Sequence, residues 1–368
     1  IVITAAADVD LAITDLVSSA FGHAGQKCSA ASLAIVEASL YDSPHFLRRL
    51  RDAVASLRVG WPHAIETMVG PLITPPAEPL TRALTTLDPR ETWLVEPRPL
   101  DESGRSWRPG VRVSVEPGSW FHHTECFGPV LGVMRADDLD HAIEIQNAVV
   151  YGLTGGIQSL DEREIARWLD QVEVGNAYVN RGITGAVVRR QPFGGWKRSS
   201  VGPGAKAGGP SYLLQFARLD ETDDVEHEQV EASYRRAWAE FFAVGHDPSG
   251  LKAESNVLRH RRVERVVVRH DGSDPRALAR LEIASRVTGV ELHVDDGPTD
   301  SFVARLRPTD RLRIVGRADT DLLREFHQAW AWVDVSPPSP HGRIELLRWV
   351  REQAVSQTLH RHGRLTST

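Results

Sequence analysis

FGHAGQKCSAASLAIVEASLYDSPHFLRRL, residues 21–50, joins three kinds of pattern. FGHAGQKCSA is a loop of small residues around Cys28. SLAIVEASLY (32–41) is strand-like. Ser43-Pro44 then opens a helix, because proline at the first helical position gives up an N–H that would have no partner anyway. That helix continues through HFLRRLRDAVASL. A strand flanked by helices is the unit of an α/β sheet.

The rhythm extends both ways. Residues 1–4 read as a short strand. Asp8 or Asp10 caps a helix whose apolar positions Ile13, Leu16, Val17 and Ala20 recur at helical spacing. Val69 to Pro117 is rich in proline and turns, with short strands such as VRVSV (111–115). After ECFGPV, LGVM is a strand, DLDHAIEIQNA a helix, GLTGGIQS a turn and strand, EREIARWLDQV a helix, and NAYVN (176–180) a strand. Strands alternating with helices imply an α/β fold with an open, mainly parallel sheet.

The character changes after residue 218. LDETDDVEHEQVEAS is acidic and leads into the helical SYRRAWAEFFAV, so 219–247 is expected to be a linker. From 248 to 338 the α/β rhythm resumes: VERVVVRH, VELHVDD, DRLRIVG and AWVDVS are strands, and helices start at Asp274-Pro275 and DLLREFHQAW. This smaller, Rossmann-like unit has no G-x-G-x-x-G fingerprint, so it is expected to be non-catalytic. The closing segment, 339–368, is expected to carry an amphipathic helix, RIELLRWVREQAVSQTL (343–359), with Leu346, Leu347, Val350 and Ala354 on one face.

Composition narrows the function. Of 368 residues, 41% are hydrophobic and 25% charged, with a net charge of −6, which disfavours a nonspecific nucleic-acid binder. Two cysteines at unrelated places make no disulfide framework, and a reducing cytoplasm is the expected compartment. No apolar run reaches the ~20 residues of a membrane span. The basic run LRHRRVERVVVRH (258–270) reads as a strand with a solvated face. His122-His123 and His360-Arg361-His362 lack metal spacing, so no metal site is expected. HEQVE lacks the second histidine of a zincin helix. Nothing around Lys197, Ser199 and Ser200 activates a serine.

Three stretches carry chemistry. In GQKCSA, Gly25, Ser29 and Ala30 let backbone and ligand approach Cys28, and a thiolate nucleophile needs such access. In ECFGPVLGV (125–133), a carboxylate can accept two hydrogen bonds from a sugar diol and Phe127 can pack against a flat ring. NRGITGAVVRRQPFGGWKRSSVGPGAKAGGP (180–210) is glycine-rich without phosphate-loop spacing.

In this order the three resemble the aldehyde dehydrogenase superfamily: its catalytic cysteine loop, its cofactor-ribose Glu-x-Phe motif and its Pro-Phe-Gly-Gly segment on the substrate side. Within it, Ser29 directly after the cysteine, TGAVVRRQPFGG and GPGAKAGGPSYL resemble the L-glutamate γ-semialdehyde (Δ1-pyrroline-5-carboxylate) dehydrogenases. ESNVLRHRR and the closing segment resemble the C-terminal region of the bifunctional proline utilization A enzymes. The resemblance covers 1–218 strongly and 245–368 moderately.

The resemblance implies a reaction. Cys28 attacks the aldehyde carbon, hydride passes to NAD⁺, and water hydrolyses the thioester to glutamate. The Cys28 backbone N–H and a family asparagine hold the oxyanion. Glu125 and Phe127 bind NAD. Ser29, Gly185 and Ala186 anchor the substrate's α-carboxylate, and Phe193 walls its chain. SYLLQFARL (211–219) is a strand of an oligomerisation flap in the family, so a homo-oligomer is expected, and the final helix acts as a lid. The chain opens IVITAAADVD without an initiator methionine. It is therefore expected to be a fragment, inactive alone, whose general-base glutamate, oxyanion asparagine and most NAD contacts lie upstream. FAD would belong only to an absent proline dehydrogenase domain. Other expectations kept open are an aldehyde dehydrogenase of different specificity and a non-catalytic interaction remnant.

Overall fold

A computed structural model describes residues 1–217, 225–295, 297, 302, 305–307, 309–317, 320–328 and 332–360. They fall into two compact units, one formed by residues 1–186 with returns at 252–254 and from 356, the other by 187–251 and 255–355.

In the first unit, β1 (Val2–Ile3) is followed by α1 (Val9–Phe21). Asp8 caps α1, its carboxylate accepting from the Asp10 and Leu11 N–H groups at 3.2 Å each, and Leu16 and Ala20 are buried on its inner face. β2 (Leu33–Glu37) precedes α2 (Pro44–Ala55), which opens as the Ser-Pro pair predicts: the Ser43 hydroxyl accepts from the His45 N–H. There follow β3 (Thr92–Val95), β4 (Gly110–Val113), β5 (Val130–Ala136), α3 (Leu139–Asn147), β6 (Thr154–Gln158), α4 (Glu162–Gln171) and β7 (Asn176–Val179). The sheet order is β7-β6-β1-β2-β5-β4-β3. Every pair is parallel except β3 with β4. The mainly parallel α/β sheet is thus present, and its strands are apolar on both faces, as a sheet covered by helices requires.

Under the β3–β4 edge lies a buried ion pair. Arg112 on β4 donates to Glu91 at 2.8 Å, with both side chains sealed from solvent. Its other nitrogen donates to the Ala83 and Thr86 carbonyls, and its guanidinium stacks 4.3 Å from the Phe121 ring.

The second unit contains α5 (His227–Ala237), β8 (Glu254–Arg262), β9 (Arg265–His270), α6 (Pro275–Thr288), β10 (Glu291–Asp295), β11 (Arg311–Val315), α7 (Thr320–Gln328), β12 (Val333–Asp334) and β13 (Val350–Thr358). A parallel sheet runs β10-β9-β11-β12, and β8 lies beside β13. Asp274 caps α6 and Gly289 ends it in the left-handed conformation, φ 72°.

The compact units divide at 186/187, inside the expected stretch 1–218, because residues 187–207 bond to the later strands: Gln191 to Asn256, Trp196 and Lys206 to Glu352. Three expectations need correction. The expected helix 343–359 is one α-turn at Gly342–Glu345, a 3₁₀ turn at Leu346–Trp349, and then strand β13. Val350, Glu352, Ala354 and Ser356 are buried at alternate positions, with Gln353 buried as well, a period of two that the apolar residues alone hid behind buried polar ones. SYLLQF forms a 3₁₀ turn at Tyr212–Phe216, not a strand. The basic run 258–270 breaks between β8 and β9, where the buried Val263 donates its N–H to the Trp349 carbonyl. The acidic stretch at 218–224 and the tail from 361 lie outside the described residues.

Candidate active site

Helix α1 ends at Gly22 and the chain then turns through three successive left-handed residues, His23 (φ 55°), Ala24 (φ 55°) and Gly25 (φ 69°). Non-glycine residues there cost about 1–3 kcal/mol each, so the surroundings must impose the turn. The Gln26 N–H closes it on the His23 carbonyl, and the Ala30 N–H bonds the Lys27 carbonyl at 3.0 Å around Cys28 and Ser29. The result presents the Cys28 thiol to solvent and buries Ser29.

The Glu125 loop leaves a helical turn, Trp120–His123, and enters β5. Cys126 points inward, and burial pushes its thiol up to about 11. Its neighbours Glu125 and Phe127 point outward. Phe127 is itself left-handed, φ 57°, with its side chain 42% exposed. Gly128 has no room for a side chain: a Cβ would meet Leu80 Cδ1 at 2.3 Å.

These two loops touch. A Cβ on Gly25 would lie 2.2 Å from the Gly128 carbonyl oxygen. The Gln26 side-chain amide donates to the Phe127 carbonyl at 3.3 Å, and its oxygen accepts the Ile73 N–H at 2.9 Å. An exposed thiol and an exposed carboxylate–aromatic pair therefore sit on directly bonded loops of one unit.

Ser19 ties in a third segment. It is wholly buried on α1; its carbonyl accepts the Ala31 N–H at 3.0 Å, beyond the cysteine turn, and its hydroxyl accepts the Ile183 N–H at 3.0 Å. The chain then reaches Gly185 and Ala186, both exposed; Gly185 has φ 78° and open space where a Cβ would be. The sequence reading missed Ser19, because a serine beside apolar helical positions carries no mark of a second bonding partner.

Phe193 belongs to the second unit. It is half-buried and pairs with Ala207 by two backbone hydrogen bonds of 2.9 Å. Among the described residues, no group of three or more His, Cys, Asp or Glu side chains could hold a metal ion. Among them, too, no helix is long and apolar enough to cross a membrane.

Chemically, an accessible thiol can add to an electrophilic carbon. An outward carboxylate can accept from a diol, and a solvent-facing ring offers a face to another planar group. Bare backbone at Gly185–Ala186 suits a small anion.

Comparison with known proteins identifies the family. Residues 1–221 fit the model of the aldehyde dehydrogenase family. A 1-pyrroline-5-carboxylate dehydrogenase of Geobacillus sp. (strain WCH70) is 40% identical over 215 residues, 58% of this chain and 41% of the relative. The solved structure of proline utilization A from Corynebacterium freiburgense aligns with TM-score 0.88 and 46% identity, over 98% of this chain and 38% of that one. The 1-pyrroline-5-carboxylate dehydrogenase from Thermus with bound NAD aligns with TM-score 0.52 and 35% identity, over 60% of this chain and 42% of that one. The chain thus spans about two-fifths of the length of each of these proteins. With the cysteine loop, the Glu-x-Phe loop and the sheet that carries them all matched in one continuous stretch, the chain belongs to the aldehyde dehydrogenase family.

Proposed function

We propose that this chain supplies the nucleophile and part of the cofactor site of an NAD-dependent dehydrogenase that oxidises L-glutamate γ-semialdehyde to glutamate. The observation that carries the reading is the bonded contact between the Cys28 and Glu125 loops. It supports a thiol and a ribose-binding carboxylate serving one reaction.

The cofactor fits the residues present. Glu125 is exposed on the loop, and Phe127 has a left-handed backbone and is 42% exposed. Glu125 would accept from the nicotinamide ribose hydroxyls and Phe127 would pack near the ring. When bound, NAD⁺ supplies the hydride acceptor.

The remaining steps rest on this chain's own atoms. The Cys28 thiolate forms a C–S bond to the aldehyde carbon, and the carbonyl π pair moves to oxygen. The Cys28 N–H is the donor this chain offers to that oxyanion. Once the carbon is oxidised, the acyl group is a thioester on Cys28, and water cleaves it, returning the thiol and releasing the carboxylate. At the far end, the Ser29 hydroxyl and the bare backbone of Gly185–Ala186 would hold the α-carboxylate.

The test is NADH formation by the full-length protein. The semialdehyde should be turned over at least about a hundredfold more efficiently than an aldehyde of equal length lacking the α-amino and α-carboxyl groups, because unpaired polar groups penalise the truncated substrate. Equal efficiency would refute the substrate assignment. Turnover unaffected by Cys28→Ala would refute the mechanism.

A further inference from the structure

The second unit carries a cleft of its own. A space of about 410 Å³ opens where the turn at 341–343 crosses the end of α5. Gly342 makes the crossing possible. A Cβ there would meet the Ser233 carbonyl oxygen at 2.5 Å and the Ala237 Cβ at 2.7 Å, and the Gly342 N–H donates to the Ser233 hydroxyl at 3.0 Å. With turn and helix joined at Gly342, its neighbours His341 and Arg343 line the cleft from one side.

The helix supplies the other wall. Arg236 and Ala237 line it from α5, and Glu240 and Phe241 from the wide π turn, Trp238–Phe242, that extends α5. Such turns recur at functional sites. Arg343 is held against this wall: its guanidinium carbon lies 3.1 Å from the centre of the Phe241 ring and 5.8 Å from that of Phe242. Stacking occupies one face of the guanidinium plane and leaves the N–H edges to bond elsewhere. Arg236 is exposed. Among the described residues neither arginine forms an ion pair. Glu240 shares the cleft without pairing with either, and Glu352, whose charge acts on Arg343, is itself buried on β13.

The lining selects a chemistry. Two guanidinium groups and an imidazole suit a carboxylate, which accepts their N–H groups in short, often paired bonds. Glu240 opposes a second negative charge and favours a cation beside it. Ala237 and Phe241 add apolar wall. A polyanion satisfies the arginines and is repelled by Glu240, whereas a zwitterion satisfies both. We propose that this cleft binds a free α-amino acid, its carboxylate toward Arg236 and Arg343 and its ammonium toward Glu240. The site is built from residues of the second unit alone.

The experiment is calorimetric titration of the full-length protein with L-leucine, whose aliphatic chain suits the apolar wall. Arg236→Ala and Arg343→Ala should each weaken binding about tenfold, the size of one lost hydrogen bond to a charged group. Glu240→Gln should weaken L-leucine about tenfold and leave isocaproate, the same skeleton without the ammonium, within about twofold. All three variants should oxidise the semialdehyde at the parent's rate, so failure of the cleft and failure of the dehydrogenase reading give different results. Bound L-leucine should also slow deuterium exchange at 341–345. The proposal is overturned if L-leucine does not bind, if both arginine variants bind it as the parent does, or if inorganic phosphate binds the cleft at least as tightly. It is equally overturned if Glu240→Gln changes L-leucine and isocaproate alike. If Arg343→Ala melts early for want of its Phe241 contact, Arg236→Ala decides, because the exposed Arg236 side chain holds nothing in place among the described residues.

Discussion

The side-chain amide of Gln26 hydrogen-bonds the Phe127 carbonyl across 101 residues of chain, and so joins the loop of Cys28 to the loop of Glu125 and Phe127. The join tolerates nothing larger than hydrogen at Gly25.

Gly25→Ala is expected to lower activity at least tenfold. The new methyl would meet the Gly128 carbonyl at 2.2 Å in a backbone already at φ 69°, a clash with main chain that cannot rotate away. Thermal stability should fall by about 1–3 kcal/mol, as for other left-handed positions. Steady-state kinetics beside a melting curve checks this; wild-type kinetics would show that the loops are not interdependent.

Native alkylation should distinguish the two cysteines. Cys28 is exposed, whereas Cys126 is buried and its thiol is pushed up to about 11 by burial. Iodoacetamide at neutral pH should therefore label Cys28 and spare Cys126, because the thiolate is the reacting form. Mass spectrometry of the tryptic peptides reads the result, and equal labelling would contradict the placement of Cys126.

Removing one partner of the Arg112–Glu91 pair should destabilise the protein by about 3–5 kcal/mol, since an uncompensated charge stays buried. Chemical denaturation of Glu91→Ala measures it. A loss under about 1 kcal/mol would mean that water reaches the guanidinium.

Lys206 gives a pH prediction. Burial lowers its pKa to about 7 from an ordinary 10.5. Between those values the unfolded chain holds a proton that the folded chain does not, so folded stability from this group rises with pH across that window. It is fully present above the unfolded value and is lost as pH falls toward 7. Lys206→Met removes the term, so the variant's Tm advantage over the parent should shrink as pH is raised from 7 toward 10. A gap that stays constant would place the ammonium in contact with solvent.

Much of this was legible beforehand, for a reason that varies by element. Asp8, Ser43-Pro44 and Asp274-Pro275 announce helix starts because a cap is a local event. Cys28, Glu125 and Phe127 stood out because small residues around a cysteine, and a Glu-x-Phe-Gly-Pro turn ahead of an apolar strand, are hard to explain by packing alone. β13 was misread because Glu352, Gln353 and Ser356 are buried polar residues, and only partners distant in the chain make that burial tolerable. Ser19 escaped for the same reason: its partners are Ala31 and Ile183.

The position of β1 bears on how the protein folds. Its two residues sit mid-sheet, with Val2 registered on Ile35 to one side and on Ile157 to the other. The second pairing closes a very long loop, and such pairings are slow to form. During synthesis that second pairing must wait for residue 158 to emerge, whereas the pairing with β2 can form early. Pulse-labelled exchange on refolding would then find the Thr4 N–H, bonded to the Gln158 carbonyl, protected later than the amides of β2; simultaneous protection would argue for a single cooperative step.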